Sequence, residues 1–188
     1  MAVATSITRK VELDSDLLHN ALMVLAGAGI LALAGQLKFL LPFTPVPVTA
    51  QTLAVVLVAG VLGSMRGTLS VLGFLAAGLA GAPVFAAGGG PAYLFGPTGG
   101  YLLGFMPAAW LTGALASNFR ASAGLTRALG MLAAVALGDA VIFAAGLAWL
   151  GVYKPLAGSI LAAGLLPFLP GEAVKLAFAT LALTRLRR

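Results

Sequence analysis

Apolar runs separated by short polar, glycine-rich or proline-rich segments cover most of this chain. A helix needs about 20 apolar residues to cross a bilayer, and most of the runs approach that length. The pattern predicts six transmembrane helices, at residues 17–37, 49–62, 68–81, 98–118, 127–150 and 159–183. The second run is short, so its helix must be tilted, extended by its flanks or shielded by protein.

The composition agrees with this pattern, because 61% of the 188 residues are hydrophobic and only 9% are charged, with a mean hydropathy of +1.07. A water-soluble domain of this size needs more charge to cover its surface. We therefore predict an all-α membrane protein whose six helices form one domain, at residues 17–184.

The basic residues indicate how the helices are oriented. The net charge of +6 would suit a nucleic-acid partner, but in so apolar a chain it predicts a bias of positive charge toward the cytoplasm. Six helices place both termini on one side of the membrane. If that side is the cytoplasm, eight of the eleven basic residues are cytoplasmic: Arg9, Lys10, Arg66, Arg120, Arg127, Arg185, Arg187 and Arg188. Lys38 and Lys154 then lie outside.

This split predicts an N-in, C-in multi-pass protein of the cell (inner) membrane, in contact with lipid and without a nucleic-acid partner. Residues 1–16 are polar and of mixed charge, and they are predicted to be a cytoplasmic tail or a short surface helix. Residues 185–188 are predicted to be a basic cytoplasmic tail.

The segments that connect the predicted helices differ in length and in proline and glycine content. Residues 63–67 are predicted to be a tight turn. In the first outer loop, residues 38–48, Pro42, Pro45 and Pro47 prevent a regular helix and predict a stiff, extended segment folded back over the mouth of the bundle.

The second outer loop, residues 82–97, has a Gly88-Gly89-Gly90-Pro91 core that cannot be helical. Apolar irregular backbone is tolerated in a membrane only against protein or a water-filled cavity. Gly89 and Gly90 are therefore candidates to contact a ligand. Thr98, at the start of the fourth helix, is another, because helix N-termini attract anions.

An acid and a base stand three residues apart near the end of the chain, at Glu172 and Lys175, just after Pro170-Gly171. On a helix they share one face, and charges at this depth are costly. Two interpretations are open: the pair holds a ligand, or it is an internal ion pair that only locks helices together.

Other polar residues fall at similar depth. Asp139 either neutralises Lys175 from the neighbouring helix or has a structural role. Three residues at the start of the second helix offer uncharged hydrogen-bonding groups near the outer face, namely Thr49, Gln51 and Thr52. Tyr93 and Tyr101 suit either pocket walls or interfacial anchors.

No catalytic set is visible. The chain has no cysteine, which excludes disulfides and thiolate metal sites, and its one histidine, His19, excludes a multi-histidine site. It has no Gly-Lys-Ser/Thr run of a Walker motif, so energy from ATP must come from a partner. We predict no enzyme, no metal and no cofactor.

Several motifs in order resemble the BioY family, the biotin-capturing S-components of energy-coupling-factor (ECF) vitamin transporters. They are Thr44-Pro45-Val46-Pro47-Val48-Thr49-Ala50-Gln51-Thr52, Gly81-Ala82-Pro83-Val84-Phe85, Phe95-Gly96-Pro97-Thr98-Gly99-Gly100-Tyr101-Leu102-Leu103-Gly104-Phe105 and Leu166-Pro167-Phe168-Leu169-Pro170-Gly171-Glu172-Ala173-Val174-Lys175. The likeness covers roughly residues 17–184.

The resemblance implies six helices, a biotin pocket near the outer face with the first outer loop as its lid, and partnership with a transmembrane coupling subunit (T-component) and ABC-type ATPases. It implies that Glu172 and Lys175 contact biotin, the transported ligand, although the usual acid of the family is aspartate. It also implies that Ala28 and Ala32 of the first helix dock on the coupling subunit.

We therefore predict a biotin-binding transporter subunit. The alternatives are an S-component for another vitamin, an integral-membrane enzyme and a channel-like or purely structural bundle. An enzyme should show a catalytic set, and a channel should show a continuous polar stripe, whereas the polar residues here cluster at the outer end.

Overall fold

The structure is a computed structural model that describes residues 2–152 and 159–186, with the backbone alone for residues 2–14. Predicted loop residues Tyr153 and Lys154, and tail residues Arg187 and Arg188, lie outside this range. The described helices are α1 Ala2–Gln36, α2 Gln51–Leu62, α3 Ser64–Leu79, α4 Gly99–Asn118, α5 Gly124–Val152, α6 Ile160–Gly164 and α7 Leu169–Arg185.

The predicted polar tail is helical from Ala2 onward and continues without a break into the first predicted span, so α1 is 35 residues long. Leu31 and Gly27 face the bundle and are buried, whereas Leu25 and Leu33 point outward. The buried face of α1 therefore packs on the neighbouring helices and leaves an apolar outer face.

The connection between α2 and α3 is shorter than predicted. We expected a turn over residues 63–67, but α3 begins at Ser64 and Gly63 alone makes the break, with φ of 89°. Only glycine adopts this backbone without strain. Gly67 lies inside α3, where an ideal Cβ would stand 2.7 Å from the Ala59 Cα, so it allows the two helices to pack closely.

The first outer loop contains a feature that the sequence did not predict. Residues Lys38–Phe39 (β1) and Val48–Thr49 (β2) form a two-stranded antiparallel ribbon, in which Lys38 pairs with Thr49 and Phe39 with Val48. Thr49 was predicted to begin the second helix and instead ends this ribbon. The ribbon closes the base of the proline-rich segment.

The second outer loop is irregular, as predicted, apart from a 3-10 helix at Pro91–Phe95. Gly88 and Gly90 have φ of 125° and 97°, values that favour glycine. Gly90 donates its N–H to the Gly78 carbonyl oxygen at 2.7 Å, which fastens the loop to the end of α3.

Helices α4 and α5 pack closely because small residues lie between them. An ideal Cβ at Gly100 would stand 2.1 Å from the Trp149 Cβ, and one at Gly104 would stand 2.9 Å from the Ala145 Cβ. The glycines at the start of α4 therefore serve helix packing.

The sixth predicted span is not one helix. The backbone is helical at Ile160–Gly164, forms a turn over residues 165–168, which contain Pro167, and becomes helical again at Leu169–Arg185. Proline disfavours helix in the residue before it and cannot donate to the preceding turn. Our prediction of a continuous helix was wrong here.

Two described helical segments are long and apolar enough to cross a membrane on their own, Ser15–Gln36 and Gly124–Val152. Two shorter apolar helices, Gln51–Leu62 and Ser64–Leu79, accompany them. Large apolar side chains are exposed around the bundle, including Leu33 at 71% and Val174 at 70%. In water such an apolar surface would promote association, whereas in a membrane it can contact the lipid tails.

Candidate binding site

A cleft with about 470 Å³ of empty space, partly open to solvent, lies at one end of the bundle. The first outer loop, the second outer loop and the segment before α7 enclose it together with four helices. Its lining residues are Val46, Pro47, Thr49, Gln51, Thr52, Ala86, Tyr93, Thr98, Tyr101, Leu102, Phe105, Phe143, Phe168 and Glu172.

The charged group of the cleft is the carboxylate of Glu172, which is 4% exposed. Lys175 donates to Glu172 Oε1 at 2.6 Å, one helical turn away. The Thr52 hydroxyl lies 3.1 Å and 3.0 Å from Glu172 Oε1 and Oε2. The predicted acid–base pair therefore exists, and α2 supplies it with a third member.

Lys175 is also bonded to α2 and to the end of the ribbon. Its Nζ donates to the Thr49 carbonyl oxygen at 2.6 Å and to Thr52 Oγ1 at 3.0 Å. These bonds join α7 to a segment more than 120 residues away in sequence. The pair thus fixes the distance between two walls of the cleft.

The local sequence explains where Glu172 lies. Pro170 is in the first turn of α7, where its missing N–H would be unpaired in any helix. The helix therefore starts at Leu169, and Glu172 falls in the first turn, where its negative charge is favoured by the helix dipole. The Glu172 N–H donates to the Phe168 carbonyl oxygen at 2.9 Å.

Part of the proline-rich loop covers the cleft. The Thr44 hydroxyl donates to the Ala163 carbonyl oxygen of α6 at 2.6 Å and accepts the Val46 N–H at 3.2 Å. Val46, which is 4% exposed, and Pro47 line the cleft. Pro42 and Pro45 are exposed, so only one of the three predicted lid prolines lines it.

Lys38 connects the two outer loops, because its Nζ donates to the Ala86 carbonyl oxygen. Ala86 lines the cleft, and the adjacent Phe85 is fully buried. The ring of Tyr93, one of the predicted site residues, stacks on Phe85 with 5.0 Å between ring centroids. The wall formed by the second loop is therefore firmly packed.

Aromatic rings make up the opposite wall. Tyr101 meets Phe143 edge to face at 5.8 Å between centroids, and Phe143 meets Phe168 at 5.9 Å. The Tyr101 hydroxyl donates to the Gly164 carbonyl oxygen at 2.7 Å. Its ring therefore faces the cleft, while its polar end fastens α6 to α4.

Gln51 and Thr98 line the cleft as predicted site residues, and they present uncharged polar groups. Gln51 is 3% exposed, and its Nε2 donates to the Leu31 carbonyl oxygen at 3.4 Å. Thr98 precedes the first residue of α4 and makes no side-chain cap bond.

Other predicted site residues lie elsewhere. Gly89 and Gly90 do not belong to the cleft lining, and an ideal Cβ at Gly89 would stand 2.1 Å from the Ala82 carbonyl oxygen. They shape the loop that places Ala86. Asp139 is buried in α5 and lies within electrostatic range of Glu172 and Lys175, but it forms no ion pair or hydrogen bond with the described side chains.

The predicted docking residues face the protein itself. Ala28 and Ala32 are half-buried and pack against the core cluster of the bundle. An ideal Cβ on Gly73 of α3 would stand 3.7 Å from the Ala28 Cβ. Their methyl groups are partly used in contacts between α1 and α3.

Sequence reasoning gave too little weight to Thr52 and did not single out Phe143. Thr52 was visible in the sequence as an uncharged polar residue at the start of the second helix, whereas Phe143 lies in a long apolar run and had no local signal. What the sequence lacked was the distance between these helices.

This arrangement suits a ligand with an apolar body and N–H donors. A carboxylate only accepts hydrogen bonds, and the cleft walls are aromatic and aliphatic. The residues that the structure describes contain no cluster of three or more metal-ligating side chains.

Comparison with known proteins identifies the family. The sequence model of the BioY family matches residues 5–188. The chain belongs to the BioY family. Its relatives include the biotin transporter BioY of Rhizobium etli, 35% identical over 164 residues, which are 85% of this chain and 88% of that protein.

The biotin transporter BioY of Thermotoga maritima is 38% identical over 149 residues, 79% of this chain and 85% of that one. The fold matches a crystal structure of the S-component for biotin from an ECF-type ABC transporter. The TM-score is 0.81 at 28% identity, over 92% of this chain and 93% of the other. This BioY chain therefore has the all-helical S-component fold and is a membrane protein.

Proposed function

We propose that this BioY protein captures biotin and delivers it across the membrane as the substrate-specific subunit of an ECF-type ABC transporter. The observation that carries the proposal is the cleft with a buried carboxylate at one end and aromatic walls, in a chain of this family. Relatives named as biotin transporters support transport and not catalysis.

Biotin matches the chemistry of the cleft. Its cyclic urea carries two N–H groups, which suit the Glu172 carboxylate as acceptor. Its thioether ring and aliphatic chain suit the rings of Tyr101, Phe143 and Phe168. The carboxylate of biotin would lie toward Thr98 at the start of α4, where backbone N–H groups and the helix dipole favour an anion.

The positions of the helix ends support six spans with the termini inside. The cleft lies where α1 and α3 end and where α2, α4 and α7 begin. Arg66, Arg127 and Arg185 lie at the opposite ends of their helices, and Arg120 lies in the connection between α4 and α5 at that same end. By the positive-inside rule the basic end is cytoplasmic and the cleft opens outward, with α6 and α7 together forming the sixth span.

This orientation can be tested with single cysteines, because the natural chain has none. Ala92→Cys, in the second outer loop, should react in intact cells with a maleimide that does not cross the membrane. Ala121→Cys, between α4 and α5, should react only after the cells are permeabilised. The reverse pattern would contradict the N-in, C-in topology.

Transport needs partners that this chain does not supply. Its sequence has no Gly-Lys-Ser/Thr run, so we propose that a T-component and ABC-type ATPases provide the energy. Docking of the T-component on α1 near Ala28 and Ala32 stays a prediction, and it would have to use the partly exposed face of these alanines.

The decisive experiment is titration of the purified chain with radiolabelled biotin. Saturable binding at one site, displaced by unlabelled biotin and not by an equal excess of other vitamins, is the expected result. Binding of another vitamin in preference to biotin would assign a different substrate. No saturable binding of biotin by the folded chain would refute the proposal.

A further inference from the structure

We propose that Arg127 and the first turn of α5, at the end of the bundle opposite the cleft, bind a phosphate group, and that this phosphate belongs to the headgroup of an anionic phospholipid. Phe143, which lines the cleft, lies sixteen residues further along α5, or about 24 Å at 1.5 Å per residue. The site is therefore separate from the cleft, and the inference does not depend on which ligand the cleft holds.

The Arg127 side chain is buried without an acceptor. The residue is 8% exposed, and its Nε and Nη2 atoms are buried and have no hydrogen-bond partner. Arginine carries five N–H donors and a positive charge, so a buried guanidinium without an acceptor is costly. The residues just before it, 123–126, are exposed, so the side chain lies close to the surface. An acceptor from outside the chain can therefore approach it there.

The acids whose side chains the structure describes do not supply this acceptor. Asp139 lies twelve residues further along α5, about 18 Å away. Glu172 is paired with Lys175 beside the cleft. Asp16 is exposed on α1, a helix that packs against α2 and α3. Within this part of the chain, Arg127 therefore has no carboxylate to pair with.

The start of α5 offers further donors. Ala123 precedes the helix, and its methyl group cannot cap it. The first helical bond runs from the Arg127 N–H to the Ala123 carbonyl oxygen at 3.5 Å, so the N–H groups of residues 124–126 have no partner within the helix. Long side chains on a helix lean toward its N-terminus, which brings the guanidinium beside this first turn. The free N–H groups and the helix dipole also favour an anion there.

The connection between α4 and α5 explains why Arg127 is buried. The ring of Phe119 lies against Gly130, where an ideal Cβ would stand 2.2 Å from Phe119 Cγ. Gly130 follows Arg127 by three residues, so the two share the face of α5 that the connection approaches. The connection is itself held in a turn, in which the Ser122 N–H donates to the Phe119 carbonyl oxygen at 3.2 Å. Arg127 is thus enclosed by protein on this face.

A phospholipid headgroup fits these donors and their position. The guanidinium group binds phosphate oxygens in pairs, and basic pockets between transmembrane helices on the cytoplasmic side bind phosphate-bearing headgroups. Arg66, Arg120 and Arg185 lie at the same end, which the positive-inside rule assigns to the cytoplasm. Leu125 and Leu129 are exposed on the first turns of α5, so acyl chains can lie along this helix below the headgroup. This apolar surface favours a lipid over a free anion.

Thermal unfolding of the purified chain in dodecyl maltoside, a detergent without phosphate, tests the site. Phosphatidylglycerol should raise the unfolding midpoint by roughly 5 °C more than phosphatidylcholine, whose phosphate is balanced by its own choline. An equal rise with inorganic phosphate, at matched ionic strength, would retain the phosphate site but overturn the lipid as its occupant. No rise with either, as expected if an acidic side chain of a partner subunit pairs with Arg127, would overturn the proposal.

Arg127→Gln should lose most of the rise with phosphatidylglycerol. In phosphatidylcholine its midpoint should be no lower than that of the natural chain, because it removes an unpaired buried charge. Arg66→Gln is the matched control: it removes one charge at the same end, but Arg66 lines a groove between α1 and α3, so it should keep the full rise. Arg127→Lys should keep part of the rise, since lysine retains the charge without the paired donors.

A purely structural role for Arg127 predicts a different result. Arg127→Gln would then lower the midpoint equally in both lipids and keep the rise with phosphatidylglycerol, which would overturn the proposal. An equal loss of the rise in Arg66→Gln would also overturn it, because the effect would then reflect overall charge. If Arg127→Gln does not fold, Arg127→Lys decides the question, and an undiminished rise in that variant would overturn the proposal.

Discussion

The Thr44 hydroxyl is predicted to control how fast the ligand leaves. It donates to the Ala163 carbonyl oxygen at 2.6 Å and accepts the Val46 N–H at 3.2 Å, and Val46 covers the cleft. Thr44→Val keeps the shape of the side chain and removes both bonds. With about 1 kcal/mol for the short bond and half of that for the long one, the closed loop loses about 1.5 kcal/mol.

A loss of that size corresponds to roughly a tenfold change in rate if opening of the loop limits release. The assay is a chase: the purified protein is loaded with radiolabelled biotin, unlabelled biotin is added in excess, and retained label is followed with time. Thr44→Val should release biotin about ten times faster than the natural chain, with a smaller effect on association. Thr180→Val is the control and should release it at the natural rate, because the Thr180 hydroxyl donates to the Leu176 carbonyl oxygen within α7 and does not line the cleft. Equal release rates for Thr44→Val and the natural chain would refute the role of the loop as a lid.

Three further substitutions test the site and its surroundings. Lys175→Ala should weaken biotin binding by about 2 kcal/mol in equilibrium dialysis, because it leaves Glu172 buried without its partner, and unchanged affinity in a folded variant would contradict this. Glu172→Asp should keep the affinity within about tenfold, since the charge and the spacing to Lys175 remain, whereas abolished binding would mean that the cleft needs the longer acid. Gly78→Ala should lower the free energy of unfolding by about 1–3 kcal/mol, because its Cβ would stand 2.1 Å from Phe85 Cζ. Gly29→Ala is the control and should leave the stability unchanged, because nothing lies within 4 Å of its Cβ; equal thermal stability of the two variants would contradict the packing argument.

The sequence predicted most helices well because their signal is local. The fourth helix was expected from residue 98 and begins at Gly99, after a proline and before an apolar run. The α2–α3 connection was overestimated, because Gly63 and Gly67 look alike in sequence. One of them makes the turn, whereas the other lies in a helix against Ala59.

The break before α7 shows a second limit of local reasoning. Pro167 and Pro170 are both helix breakers in principle, but Pro170 lies in the first turn of α7, where it is tolerated, whereas Pro167 lies in the turn over residues 165–168 that separates the two helices. The β1–β2 ribbon was missed because its pairing depends on backbone bonds across the proline-rich segment, and two-residue strands leave no periodic pattern.

For the site, the sequence could find the Glu172–Lys175 pair, since three residues on one helix fix that distance. It could not find that Thr52 of α2 completes the pair, nor that Asp139 forms no ion pair with Lys175, because these facts depend on how α2, α5 and α7 pack. Glycines were ambiguous for the same reason. Gly89 was a candidate ligand contact in the sequence, and the space beside it is already filled by the Ala82 carbonyl group.

The buried carboxylate of Glu172 bears on selectivity. Glu172 lines the cleft and is 4% exposed, so an arriving ligand is expected to meet a buried hydrogen-bond acceptor there. A molecule that fills the cleft without offering N–H groups would remove water from this carboxylate without replacing the lost hydrogen bonds. The cost in binding free energy is about 1–3 kcal/mol, and more for a charged group. Rejection of such molecules can therefore exceed what apolar fit alone provides, since an extra or missing methylene changes binding by only about 1–3 kcal/mol. Discrimination between ligands of similar size and shape is then expected to follow the number of N–H donors they present to Glu172.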